Sequence, residues 1–211
     1  MDNFSVISRG DLFFNDPDYF IKFIKNVESL FRKAHPFYGH YKAYLINDIG
    51  LDRCQVQSNI SIEVANLEMH HTILTLFDEI FLITKYYLRK YGKVDSLIVL
   101  KEIIQCHEEN IIPIVMLSET NHELYHKNEL FIPIECVFGD FMKFIFKYKE
   151  GITYPIIYKL KKYLDSNMNL QNKDELLRLN NDLLSINNWY VSIGGDSIDY
   201  INMYNNFNYS N

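Results

Sequence analysis

The chain has 211 residues and a formal net charge of −6, and 48% of its residues are hydrophobic, enough for a sizeable core and too many for general disorder. The acidic balance excludes a uniformly basic surface of the kind that grips long duplex DNA, so any hold on phosphate has to come from a local patch of cations or from a metal ion. The three cysteines, Cys54, Cys106 and Cys136, form no CxxC pair, which excludes a cysteine zinc knuckle and argues against a disulfide framework.

The first element expected is an amphipathic helix over Asp16–Lys33. Phe20, Phe23, Ile24, Val27, Leu30 and Phe31 recur at helical spacing, with Asp16 or Asp18 as cap. Pro36 and Gly39 interrupt the pattern, and Tyr38–Ile46 reads as a second, short helix. Both are expected to cover the back of the core. His35 and His40, at the break, read as solvated. Ile60-Ser61-Ile62-Glu63-Val64 alternates as a strand does and leads into Glu68-Met69-His70-His71.

Two helices follow, Thr72–Tyr91 ended by Gly92, and Ser96–His107. Ile111–Leu117 is a near-continuous apolar run, the mark of a buried strand, with Pro113 pointing to an edge or a bulge. Ser118 is a good N-cap for a helix carrying His122 and His126. Further helices are expected over Val137–Tyr148, Pro155–Leu164 and Asp174–Leu184. From Asn187 the composition turns to Asn, Tyr, Ser and Gly, which reads as a loose tail. Ile73–Leu88 comes nearest to a membrane span, but Asp78, Glu79 and Lys85 interrupt it, and no basic-then-apolar leader opens the chain. A cytoplasmic protein with no membrane partner is therefore expected.

Four of the seven histidines form two pairs. His122 and His126, four apart on a helix, share a face, the spacing with which a helix offers two imidazoles to one ion. His70-His71 closes a strand, with Glu68 two residues before His70. Strand, paired histidines, excursion, second strand and two-histidine helix form an ordered series. In this it resembles the HNH, or ββα-metal, nucleases, closest to the histidine-rich colicin DNase type, over about a third of the chain.

The resemblance implies that His70, His122 and His126 hold a divalent metal ion such as Mg, Mn or Zn. It makes His71 the general base, Asn110 (or, failing it, Asn121) the residue bracing the base-bearing loop, and Glu68 an orienter of the ligands. It implies an α+β fold. A small ββα-metal core over residues 57–135 would carry a helical insertion at 72–107, between a helical region at 1–56 and another with a loose tail at 136–211. The expected activity is metal-dependent hydrolysis of phosphodiesters, DNA first. The alternatives are a small cyclic nucleotide as substrate, or a non-catalytic phage–host interaction protein with a degenerate site. The AT-rich composition is compatible with a phage origin.

Overall fold

The computed structural model describes residues 8–10, 16–167 and 173–194. In chain order the strands and α-helices are β1 (Ser8–Gly10), α1 (Pro17–Ser29), α2 (Phe37–Asn47), β2 (Leu67–His71), α3 (Leu76–Tyr91), β3 (Lys93–Asp95), α4 (Ser96–Glu108), β4 (Ile114–Ser118), α5 (Glu119–His126), α6 (Phe141–Lys147), α7 (Tyr154–Ser166) and α8 (Lys173–Ser192). The class is α+β, as expected.

Local chemistry explains most boundaries. The Asp16 carboxylate accepts from the amides of Asp18 and Tyr19, and Pro17 opens α1 without wasting a donor. Phe20, Phe23, Ile24 and Val27 form its buried face. Past Ser29 the ladder widens into a π-helical turn, Leu30–Ala34, closed by the bond from the His35 amide to the Leu30 carbonyl. Thr75 and Asp78 form a reciprocal capping box at the start of α3, so this helix begins after Thr72 rather than at it. Gly92, at φ 67°, ends α3.

Two small antiparallel sheets are present among the described residues. β1 pairs with β3, a pairing the sequence did not suggest. β2 pairs with β4, Glu68 opposite Leu117 and His70 opposite Val115. All five residues of β4 are buried, as a strand covered on both faces should be. Pro113 lies just before β4, where no ladder donor is missed.

The strand expected at Ile60–Val64 is absent. Those residues form turns around a lone bridge between Arg53 and Ser61, and Ile62 and Val64 are exposed. The strand is Leu67–His71 itself, displaced by a few residues. The helix expected over Val137–Tyr148 is shortened to α6. Phe138 pairs with Ile114 beside β4, and the Asp140 carboxylate caps α6 by accepting from the Lys143 amide. α8 runs past the expected Leu184, through Asn187 to Ser192, because Leu176, Leu179, Leu183, Ile186 and Tyr190 keep one face buried. The rest of the expected tail, from residue 195, lies outside the described residues. One hydrophobic core runs through these elements, from Phe20 to Tyr190.

Candidate metal centre

The site grows from the alternation of one strand. Along β2, Leu67, Met69 and His71 are buried, while Glu68 and His70 face the other way and are half-buried. β4 lies beside β2, and its last residue, Ser118, caps α5 by accepting from the Asn121 amide. The chain therefore turns directly from the neighbouring strand into a helix lying over the Glu68–His70 face. Helical spacing stacks His122 and His126 there.

The three imidazoles meet. His122 Nε2 lies 2.9 Å from His70 Nδ1 and 3.1 Å from His126 Nε2. Three donor nitrogens, one from each ring, lie within 4.8 Å of one another. Glu68 Oε2 is 2.5 Å from His122 Nδ1. It accepts that N–H, which fixes the tautomer and leaves the Nε2 lone pair facing the other two rings. Burial pushes the His70 imidazole down to about 3, with His122, His126 and Arg32 adding to the effect. Burial also lowers His122, against the opposing pull of Glu68. Both rings are neutral near pH 7, the form that ligates.

Nitrogens about 2.1 Å from one ion, at angles of 90–110°, stand roughly 3.0–3.4 Å apart. The separations from His122 Nε2 match this, and His70 and His126, within 4.8 Å of each other, would draw together to share one ion. Imidazoles alone suit Zn²⁺ and its transition-metal neighbours better than Mg²⁺, which prefers oxygen. Three protein ligands also leave a coordination position open, the arrangement of catalytic rather than structural sites.

That centre opens on a cavity of about 770 Å³. Lys25, Arg32, Lys42, Tyr38 and Phe77 contribute to its wall together with the histidines. The N-terminal helices thus do more than cover the back of the core: α1, its π turn and α2 form one side of this cavity. Tyr38 anchors α2 by donating its hydroxyl to the Met69 carbonyl of β2 at 3.1 Å. Nothing in the sequence tied Arg32 or Lys42 to histidines so distant along the chain.

His71 does not join the three. It faces the core, 4% exposed, with Nε2 3.0 Å from His107 Nε2 and 3.7 Å from Glu79 Oε2. His107 Nδ1 donates to the Ile103 carbonyl at 2.7 Å, so its Nε2 accepts and His71 donates through Nε2. His71 Nδ1 then carries a lone pair without a protein partner, and the ring lines the cavity. Burial lowers His107 to about 4, holds His71 well below the ordinary histidine range and raises Glu79 well above the carboxylate range. All three are neutral. His107 escaped sequence reasoning because it reads as a polar residue in the last turn of a helix.

Asn110 stands apart from the histidines. At φ 52° it makes the turn after α4. Its Oδ1 accepts from the Tyr41 hydroxyl at 3.1 Å, and its Nδ2 donates to the Tyr44 hydroxyl at 3.2 Å. Asn121 is spent on Cys54 Sγ and Gln57 Oε1. Arg89 is bound to the carbonyls of Glu150 and Ile152, away from the histidines.

No described helix is long and apolar enough to cross a membrane. No curated protein and no solved structure matches the chain. The profile of one family does, over residues 10–195, nearly the whole length. The chain belongs to the bacteriophage G278-like virion protein family.

Proposed function

We propose that this phage protein is a metal-dependent phosphodiester hydrolase, with nucleic acid, DNA first, as its substrate. The observation that carries the reading is the convergence of His70, His122 and His126 from β2 and α5 onto one point beside a cavity with Lys25, Arg32 and Lys42 in its wall. The order β2, β4, α5 is also the order of a ββα-metal core.

A bound divalent ion would supply positive charge to the phosphoryl group and acidify a water. His70, His122 and His126 hold it. Glu68 keeps His122 in the ligating tautomer. His71 is not placed to take the proton of the attacking water: its Nδ1 is buried out of reach of solvent and its Nε2 is bonded to His107. Asn110 takes no part, being bound to Tyr41 and Tyr44. The family description supports carriage in the particle, and the host cytoplasm is where we place the reaction.

One observation favours a second reading. The histidines stand in a walled cavity of about 770 Å³ that includes Tyr38 and Phe77, a size and lining that suit a small ligand such as a cyclic dinucleotide. Metal analysis of the purified protein, followed by incubation of plasmid, single-stranded DNA and cyclic dinucleotides with Zn, Mn or Mg, separates the two. The expected result is one bound ion per chain and cleavage of DNA. His122→Ala, which removes the central ligand, should lose both. A wild-type protein that takes up neither Zn nor Mn would end the reading. Metal uptake with no cleavage of any substrate would leave a non-catalytic virion component.

A further inference from the structure

We propose that Arg32 grips the phosphate of the substrate, its guanidinium fork closing on the oxygens that the histidine centre faces. This rests on the function proposed above and extends it to a residue outside the ββα core.

Position comes first. Arg32 sits in the π-helical turn Leu30–Ala34, directly after two anchors, Leu30 and Phe31, that are buried in the core. Its side chain lines the cavity that holds His70, His122 and His126. Lys25 and Glu28 precede it on the same helical face and line the same cavity.

The group is also held in place. Glu28 Oε1 accepts from Arg32 Nε at 3.2 Å. The guanidinium carbon lies 5.8 Å from the centre of the Tyr38 ring, and the bond from Tyr38 to the Met69 carbonyl fixes that ring against β2. Glu28 is the one carboxylate paired with Arg32 among the described residues. Steadied through Nε by Glu28 and by its contact and hydrogen bond with Tyr38, the guanidinium has Nη–H donors left over, and these can meet phosphate oxygens. Lys25 and Lys42 share the cavity but carry single charges on flexible stems.

Electrostatics point the same way. Arg32 shares the wall of one cavity with His70, His122 and His126. A fixed cation this near a dication site is repulsive on its own. An anion that touches both the cation and the site removes the repulsion, and a phosphodiester has the charge and the geometry for it.

The test uses Co²⁺ as a spectroscopic ion and inorganic phosphate as the probe, on the full chain at pH 8. Arg32→Met keeps the stem and removes the charge. It should bind Co²⁺ as tightly as the parent or tighter, with an unchanged visible spectrum, yet bind phosphate about tenfold more weakly. Arg32→Lys, the milder change should Arg32→Met fold poorly, should recover only part of the phosphate affinity. Cobalt binding with equal phosphate affinity in the parent and in either variant overturns the role of Arg32 and leaves the metal centre standing. A parent protein that binds no cobalt overturns both.

Discussion

Glu68 decides which nitrogen of His122 faces the ion. Its carboxylate is 2.5 Å from Nδ1, and removing its charge weakens the imidazole as a donor without emptying the position. Glu68→Gln should bind Co²⁺ about tenfold more weakly than the parent, with circular dichroism unchanged; equal affinity would show that the tautomer is set elsewhere. At this scale the sequence was informative in an uneven way. His70, His122, His126 and Glu68 stood out because helical and strand periodicities are local rules. His107, 36 positions from its partner His71, and Arg32, 38 positions before His70, obey no local rule, and only the packing of α1 and α4 brings them in.

Among the elements, the misplaced strand is the most instructive. Ile60–Val64 alternates well but pairs only through the lone bridge from Ser61 to Arg53, so Ile62 and Val64 stay at the surface while Ile60 packs part-buried on the core. Leu67–His71 looks too polar for a strand. It becomes one because β4 offers a fully buried partner and because its own outward residues are the ones the site uses. α6 starts late for a comparable reason. Gly139, at φ 100°, brings the chain so close to the segment leading into β4 that a Cβ there would lie 2.1 Å from the Ile112 carbonyl oxygen. Gly139→Ala combines that clash with a left-handed backbone. It should lower stability on the order of 3 kcal/mol, read as a lower urea midpoint at constant slope. Helices α1 and α5 were legible because the caps Asp16 and Ser118 carry their own instructions, as does Gly92 at the end of α3; the Thr75 cap was passed over, so the start of α3 was expected too early.

For the whole molecule, the buried trio His71, His107 and Glu79 ties stability to pH. His107 has its folded value lowered to about 4, so the unfolded chain takes up a proton first as pH falls below about 6.5. Its contribution to stability is complete above that pH and is lost as pH falls towards 4, by about 1.4 kcal/mol per unit. His71 acts in the same direction. Glu79, raised when folded, acts in the opposite one, releasing a proton on unfolding above about 4.5. Urea titrations between pH 6.5 and 4.5 should show the parent losing stability more steeply than His107→Gln, by about 1.4 kcal/mol per unit. Parallel slopes would mean that His107 is not held neutral. The α+β class was readable from the pattern of helices and two apolar strands. The placing of the N-terminal helices along the cavity was not, because an amphipathic stripe says that a helix packs without saying what it packs on.

His70 and His71 are neighbours in the chain, yet one serves the open face and the other the interior. β2 therefore has no slack. Losing or gaining one residue between Leu67 and His71 would exchange the two sets, sending a ligand into the oily centre and the interior imidazole out to water. Length variants tolerated in the preceding turns would be ruinous inside those five positions.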